Sequence, residues 1–261
     1  ADVINVTFGA EVWTYSNAGV WSANEVDTLP GAAVSNPIWF NNRLFFPLGT
    51  NGYSYQVQPS TAVLTDVAAP TARNFVKYDN KLWALDQNFI LYSSTSGSAA
   101  SWTTLAAIPV ELDATNGVDL PRGHLVVYDD SNGDLAIWAI THEGPYLYDP
   151  VNDKWFRSRF QYPYNRLVTS IGSAVTQGND LWVQTGLEDL AKLTMGQSLV
   201  VDPYQGPTRP DGADFTNATT GGNIVNITAD DQYIYALVNL DTGSGQQRVA
   251  IFVHNARGWH P

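Results

Sequence analysis

Residues 74–105 read NFVKYDNKLWALDQNFILYSSTSGSAASWTTL, and this stretch decides the fold. It contains two short runs of aromatic and aliphatic residues, at Lys81–Asp86 and Phe89–Ser93, and polar turn residues such as Asp79 and Asn80 precede them. A Ser/Gly-rich turn then leads to Trp102. Short strands joined by tight turns are typical of an antiparallel meander. The stretch therefore predicts one four-stranded unit.

The second strand of this unit, KLWALD, recurs along the chain. A polar turn precedes it in five of the six copies. A repeat of about forty to fifty residues with four short strands is the signature of β-propeller blades. The sequence therefore predicts an all-β fold, a β-propeller with about six four-stranded blades. The other copies of the strand are Val3–Gly9, Arg43–Gly49, Leu135–Thr141, Asp180–Gly186 and Tyr233–Val238.

The repeats divide one predicted domain, residues 1–261, into blades at about 1–30, 34–69, 73–110, 122–161, 166–203 and 222–261. In the first blade VINVTFG aligns with the second strand of the repeat, EVWTYS follows it, and a third strand is expected around Trp21, so the innermost strand is expected to be missing. The last strand, at Trp259, begins just before Pro261. Closed propellers usually pair one terminus into the other terminal blade. We therefore expect a fragment, an imperfectly closed six-bladed ring, or a larger ring.

The amino-acid composition limits the partners and the chemistry that this protein can have. Lys+Arg 13 against Asp+Glu 25 gives a formal net charge of −12, with 15% charged and 12% aromatic residues. An acidic chain is a poor partner for nucleic acid or an anionic membrane surface, because both favour clustered cations. The absence of cysteine excludes disulfides, thiolate metal sites and a Cys nucleophile. No apolar run is long enough for a membrane span, and no signal-peptide pattern opens the chain.

Several turns between third and fourth strands place an aromatic residue before the turn and a Trp after it. YDPVNDKW (Tyr148–Trp155) resembles the turn of kelch or galactose-oxidase propellers. YSSTSGSAASW (Tyr92–Trp102) is similar to a degenerate Asp-box of sialidase-like propellers, with Ser96 where that motif has its Asp. The neutral-polar composition also resembles propeller proteins of tailed-phage virions. These resemblances imply a propeller with packing tryptophans and leave the function open, because propellers host enzymes, lectins and scaffolds.

Three arginines stand just before the innermost strands of three blades: Arg73, Arg122 and Arg166. Equivalent positions in a propeller converge on one mouth of the central channel, so the three guanidiniums could hold an anion there. The alternative is that each Arg braces its neighbouring loop by hydrogen bonds, and we favour this reading. The candidate ligand-binding set adds residues expected near the same mouth, and it comprises Arg73, Arg122, Arg166, His142, Glu143, Tyr162 and Tyr164.

The arginines also carry a resemblance to sialidases, which bind a substrate carboxylate with three arginines. That resemblance implies a Tyr nucleophile paired with a Glu, and an acidic proton donor on the same face. Tyr162, Tyr164, Glu143, Glu111 and Asp119 are the candidates, but no spacing ties them together. We therefore assign no catalytic residue. A galactose-oxidase activity is excluded because its Cys-crosslinked Tyr requires a cysteine.

The sequence predicts neither a metal nor a cofactor. Asp129–Asp134 superficially resembles a calcium loop, but it lacks the terminal Glu and contains Asn132 and Gly133, a favoured hairpin turn pair. The acidic loop 111–119 could hold calcium, although its spacing follows no recognised pattern. His124, His142, His254 and His260 are scattered over separate repeats. No P-loop, dinucleotide fingerprint or G-x-S-x-G motif occurs, so kinase, dehydrogenase and serine hydrolase activities have no support.

Regular repeats, loops rich in Asn, Ser, Thr and Gly, and the lack of a catalytic motif favour a non-enzymatic protein. We expect a structural or receptor/glycan-binding propeller of a virion, phage-tail or capsid-associated, or of another extracellular assembly. Its partners would be other structural proteins of that assembly or a cell-surface glycan or receptor. Neither nucleic acid binding nor membrane insertion is expected. The alternative is a sialidase-like glycan hydrolase that uses the arginine cluster.

Overall fold

The fold is built from antiparallel sheets in two compact units, Ala1–Pro109 and Val110–Pro261. The computed structural model describes residues 3–8, 10–16, 20, 22, 27–57, 64–110, 123–141, 143–158, 174–184, 190–195, 199–202, 206–207, 223–241, 247–255 and 258–260. Over these residues, no helix has both the length and the apolar character to cross a membrane.

In the first unit each strand pairs with its sequence neighbour. The first sheet contains β1 (Val3–Phe8), β2 (Glu11–Ser16) and β3 (Asp27–Thr28); the next contains β4 (Ile38–Phe40), β5 (Arg43–Pro47), β6 (Tyr53–Val57) and β7 (Thr65–Val67); the third contains β8 (Ala72–Tyr78), β9 (Lys81–Asp86), β10 (Ile90–Ser94) and β11 (Trp102–Ala107). Two 3-10 turns lie at Gly49–Asn51 and Ala99–Ser101.

The second unit repeats this order. Its sheets contain β12 (His124–Asp129), β13 (Leu135–Thr141), β14 (Gly144–Asp149) and β15 (Lys154–Arg157); β16 (Ala174–Gln177), β17 (Asp180–Gln184), β18 (Leu190–Met195) and β19 (Leu199–Asp202); β20 (Asn223–Ala229), β21 (Ile234–Asp241), β22 (Gln247–Asn255) and β23 (Gly258–His260). The described residues thus form five four-stranded sheets, here blades 2 to 6, and one three-stranded sheet. The predicted all-β propeller is confirmed.

Every described sheet has an aromatic residue at the same position. It lies on the second strand and pairs with a β-branched residue of the first strand, a combination that packs well on a pleated surface. Three of these aromatics, Trp83, Trp138 and Trp182, are 5%, 5% and 3% exposed, so equivalent repeats give them like environments. The pairs are Trp13 with Val6, Phe45 with Ile38, Trp83 with Val76, Trp138 with Val126, Trp182 with Val175, and Tyr235 with Thr228.

This register corrects the strand assignment in the first sheet. Because Trp13 pairs with Val6, EVWTYS is the second strand and VINVTF is the first. The strand predicted to be missing, the first, is therefore present, and no fourth strand lies among the described residues. The third strand is Asp27–Thr28, paired with Glu11 and Val12, whereas Trp21 lies outside the described residues. The error arose because EVW, not VINVTFG, is the true match to KLW.

The turns between first and second strands use residues that tolerate left-handed backbone. Asn41 and Asn42 have φ values of 47° and 58°, and Asp79 and Asn80 have 47° and 54°. Positive φ at both central residues matches the type I′ turn, whose twist suits a two-residue hairpin, and Asn and Asp adopt it more readily than other non-glycine residues. The polar turns seen in the sequence therefore set the hairpin register.

The first strands of successive blades are neighbours within each unit. In the first unit β8 contacts β4, and in the second unit β16 contacts both β12 and β20. Such side-by-side first strands are the innermost strands of propeller blades. Arg73 lies at the entry of one of these strands, β8. The described first strand of blade 5 begins at Ala174, eight residues after Arg166, so the predicted place of Arg166 directly before that strand is not confirmed.

Blade 3 docks on blade 2 through a close backbone approach at Gly97. The Tyr53 hydroxyl donates to the Gly97 carbonyl at 2.8 Å and accepts from Trp102 Nε1 at 2.7 Å. Burial raises the pKa of Tyr53 to about 12. Gly97 has φ +71°, and a Cβ there would lie 2.4 Å from Cζ of Phe45. Only glycine fits this position, both for its backbone and for its space.

Candidate functional site

Two of the seven predicted site residues lie in the described part of the chain. Arg73 belongs to the first unit and Glu143 to the second. The ring of three arginines stays a prediction. The other candidates, Arg122, Arg166, His142, Tyr162 and Tyr164, lie outside the described residues, as do Glu111 and Asp119 of the hydrolase alternative.

Arg73 sits at the entry of the innermost strand of blade 3, where the sequence placed it. The pairing register moves from Ala72 opposite Asp86 to Asn74 opposite Leu85, which leaves Arg73 as the extra residue of a bulge. A bulge re-aims the side chain that it carries and increases the local twist. The Arg73 side chain is partly buried.

Glu143 is held in a local network at the turn between β13 and β14. Its Oε2 accepts a hydrogen bond from the Tyr146 hydroxyl at 2.8 Å and lies 3.4 Å from Arg157 Nη1. Arg157 Nη2 also donates to the Glu143 carbonyl at 2.8 Å. The Thr141 hydroxyl donates to the Gly144 carbonyl at 2.9 Å and accepts from the Glu143 amide at 3.2 Å. The carboxylate therefore ties β14 and β15 to the turn.

Tyr146 is the residue that sequence reasoning missed here. It was not among the tyrosines considered as partners of Glu143, although the two residues are only three apart across a turn. The Tyr146 side chain is 2% exposed, so its ring belongs to the core. Its hydroxyl donates to the Glu143 carboxylate. The Glu143 side chain is 16% exposed and that of Arg157 is 46% exposed. The network leaves little of the carboxylate to an external substrate.

Other carboxylates are committed to turns. Asp130 Oδ1 accepts hydrogen bonds from the amides of Asn132 at 2.7 Å and Asp134 at 3.1 Å. These bonds close a turn where the sequence favoured a hairpin turn rather than a calcium loop. Hydrogen bonds from Asn152 and from the Tyr235 hydroxyl respectively lower the pKa of Asp149 and Asp230. Over the described ranges, no group of three or more His, Asp or Glu side chains is placed to hold a metal ion.

Blades 4 and 5 pack through an apolar contact, here called the 4–5 interface. Blade 4 contributes Val126 and Trp138, with Leu147 beside them, and blade 5 contributes Leu181 and Leu193. Both leucines of blade 5 are 0% exposed. This contact is a hydrophobic core between two sheets, of the kind that supplies most of the stability of a β protein. The buried Tyr128 hydroxyl also crosses it and donates to the Asn179 carbonyl at 2.7 Å.

Blades 5 and 6 use the same register with different residues, here called the 5–6 interface. Lys192 pairs with Trp182 as Leu147 pairs with Trp138. His254 pairs with Ile234 as Leu193 pairs with Leu181. The 5–6 interface therefore places an ammonium and an imidazole where the 4–5 interface has two leucines. Trp259, partly exposed, packs at its edge and completes the set Trp182, Lys192, Ile234, His254 and Trp259.

Three rings meet at this interface. The His254 ring lies 4.9 Å from Trp182 and 5.1 Å from Trp259, and the two indoles are perpendicular at 6.2 Å, all between ring centroids. Burial lowers the pKa of His254, and repulsion from Lys192 and His260 lowers it further. His254 is thus a neutral, partly exposed ring at pH 7 with two basic neighbours.

Lys192 is anchored at one side and accessible at the other. Its Nζ lies 3.6 Å from Asp180 Oδ2, and both side chains are 31% exposed. Asp180 Oδ1 accepts the Thr194 hydroxyl at 2.6 Å. Because an ammonium has three donors, one carboxylate partner leaves Lys192 able to bind another anion.

The indole N–H groups of Trp182 and Trp138 are both buried without a hydrogen-bond acceptor. The two tryptophans are therefore a matched pair: they have the same strand position, the same burial and the same orphaned donor. Both lie in hydrophobic clusters, and they differ in that Trp182 also has Lys192 and His254 as neighbours. Buried donors without partners are uncommon in folded proteins.

No protein-family model and no curated protein matches the chain significantly. Solved structures resemble it in fold. The extracellular domain of a one-component system from B. thetaiotaomicron matches with a TM-score of 0.62 and 16% identity over 95% of this chain and 31% of its own. A chain of the S. cerevisiae complex of a Dbp5 variant with Nup159, Gle1, IP6 and ADP matches with a TM-score of 0.56 and 11% identity, over 100% of this chain and 74% of its own.

A chain of a mitotic checkpoint complex matches with a TM-score of 0.53 and 12% identity, over 98% of this chain and 74% of its own. This protein spans less than a third of the length of the bacterial chain, 31%. At such low identities the likeness is one of fold, and propeller folds carry many functions. The sheets and these likenesses together identify the chain as an all-β β-propeller.

Proposed function

We propose that this chain is a non-enzymatic binding propeller, a structural or receptor/glycan-binding component of a virion or another extracellular assembly. The observation that carries the proposal is the commitment of carboxylates such as Glu143, Asp130 and Asp230 to local structure. A general acid or a nucleophile must be free to reach a substrate. Here these groups close turns instead.

The composition supports the same proposal. A chain without cysteine, with few charges and with many small polar residues, presents a neutral-polar surface and rigid turns. Asn, Ser and Gly in loops, combined with aromatic anchors, are the residues that adaptable binding surfaces use. The blades supply a stiff scaffold on which such loops can be displayed.

Electron microscopy and glycan capture test the proposal. Purified protein, and particles from the source that produces it, should be imaged after labelling with an antibody to the chain, and the protein should be applied to an array of cell-surface glycans. We expect labelled particles or selective glycan retention. A protein that stays monodisperse, labels no particle and retains no glycan would contradict the proposal.

The sialidase-like hydrolase is the second candidate, and the Tyr146–Glu143–Arg157 network is the observation in its favour. A Tyr hydrogen-bonded to a Glu is the pair that such a reaction requires. The burial of Tyr146 counts against it, because a nucleophile must reach the anomeric carbon. Turnover of a fluorogenic sialoside that Tyr146→Phe abolishes, with Tyr148→Phe as the control, would favour hydrolysis. The absence of turnover in the native protein would remove this candidate.

A further inference from the structure

We infer that the 5–6 interface is a recognition site for an acidic sugar, a pyranose that carries a carboxylate. The inference rests on the proposed binding function and assigns it a place and a ligand class. It uses residues that the arginine-based hypothesis does not include: Trp182, Lys192, His254 and Trp259.

The rings supply an apolar platform. Trp259 and His254 are both partly exposed, and their rings contact each other at 5.1 Å with an angle of 62° between planes. Trp182, behind them, is 3% exposed and fixes the His254 ring at 4.9 Å. The C–H face of a pyranose packs on such rigid amphipathic rings at little cost in conformational entropy.

The Lys192 ammonium supplies the anion partner. Lys192 lies on the interface next to Trp182, and His254 has Lys192 and His260 as basic neighbours. Lys192 has one carboxylate partner, Asp180, and its side chain is 31% exposed, so its ammonium can also reach a carboxylate of a ligand. An ammonium–carboxylate hydrogen bond is about twice as strong as a neutral one.

The shared backbone register does not require a polar residue at either position. Blade 5 could carry an apolar residue at Lys192, as blade 4 does at Leu147, and blade 6 could carry one at His254, as blade 5 does at Leu193. The 4–5 interface thus shows that the fold does not need these two residues, and a ligand that contacts their exposed parts would give them a role.

The decisive experiment compares two sugars that differ only in the carboxylate. The full chain is titrated with methyl glucuronide and with methyl glucoside, and binding is followed by calorimetry and by the ring NMR signals of His254. We expect glucuronide to shift the His254 signals and glucoside to bind at least about tenfold more weakly, the value of a charged hydrogen bond. Equal binding of both sugars would overturn the role of the charge.

Variants localise the site. Lys192→Met should weaken glucuronide binding about tenfold and leave glucoside unchanged. Lys154→Met, which removes an exposed lysine of blade 4, is its control and should change neither. Trp259→Ala should weaken both sugars, because it removes the shared platform. Unfolding midpoints confirm that each variant is folded, and equal losses in Lys192→Met and Lys154→Met would overturn the site.

The remaining outcomes separate this inference from the proposed function. If the native protein ignores glucuronide yet retains another glycan or labels particles, the inference is wrong and the proposed function stands. If it ignores all of these, both are wrong. If a glutamate-rich peptide shifts the His254 signals as strongly as glucuronide does, the ligand class is wrong and the interface binds anions without regard to the sugar ring.

Discussion

The 4–5 and 5–6 interfaces of the second unit are built on one backbone register and differ in their side chains. Trp138 and Trp182 hold equivalent places, and the residues around them change from Leu147 and Leu193 to Lys192 and His254. Because the strands pair in the same way in both, backbone geometry does not account for the difference. In a propeller, some contacts between blades can serve stability while the side chains of another contact serve binding.

The largest expected effect comes from removing the two indoles. Trp138→Ala should lower the free energy of unfolding by about 4 kcal/mol, because it opens a cavity in a buried hydrophobic core. Trp182→Ala should cost about 1 kcal/mol less, since water and polar groups at the 5–6 interface can occupy part of the space. Urea unfolding measures both. Equal losses would mean that the two interfaces are equally dry.

Exchanging one residue between the interfaces sharpens the contrast. Leu193→His should cost about 3 kcal/mol, because it loses leucine packing and buries an imidazole at a position that is 0% exposed. The reciprocal His254→Leu should change stability by less than about 1 kcal/mol, in either direction. Chemical denaturation again provides the measurement. A costly His254→Leu would show that the imidazole is there for stability.

Acid should weaken the two interfaces through different histidines. His124 lies two residues before Val126 on β12, hence on the same face, and burial lowers its pKa from 6.5 to about 4. The unfolded chain binds this proton from about pH 6.5 downward and the folded chain only near pH 4, so stability falls across that window. Since the imidazole is partly solvated, we expect about 2 kcal/mol.

The measurement compares native protein with His124→Gln. Between about pH 7 and pH 4.5 the native protein should lose about 2 kcal/mol more than the variant. The lowered pKa of His254 also makes the folded protein less stable in acid. Burial is its main cause, and repulsion from Lys192 and His260 adds to it. Added salt screens that repulsion. The acid sensitivity removed by His254→Gln should therefore shrink in high salt, whereas that removed by His124→Gln should not.

The smallest expected effect on stability belongs to Lys192. Its contact with Asp180 is partly exposed, so Lys192→Met should change the free energy of unfolding by no more than about 0.5 kcal/mol. A thermal or urea midpoint provides the check. A larger loss would make Lys192 a structural residue and would weaken the contrast with the 4–5 interface.

Much of the fold was predictable because its signals are local. The turn residues Asp79 and Asn80, and the recurring KLW-like strands, define hairpins through neighbouring residues alone. The first sheet was misassigned because both of its strands look like second strands until the pairing of Trp13 with Val6 is known. The alternation of apolar and polar residues shows which residues form a strand, and the pairing between strands shows the position of that strand in its sheet.

The candidate site was less predictable because it depends on long-range register. Glu143 was predicted, but its partner Tyr146 was not, since the turn geometry that joins them is not visible in the sequence. The 5–6 interface joins residues more than sixty positions apart, Lys192 and His254 among them. Aligning LAKLT with IFVHN, third strand against third strand, would have revealed the exchange of Leu193 for His254.

The close contact at Gly97 limits how the repeats of this protein can be rearranged. The turn of blade 3 fits around Phe45 and Tyr53 of blade 2, with no room for a side chain at the glycine. A blade transplanted, duplicated or circularly reordered without its native neighbour would lose the partner that its turn was shaped to meet. Modular exchange in this chain should therefore succeed with blades 2 and 3 moved as a pair and fail with either one alone.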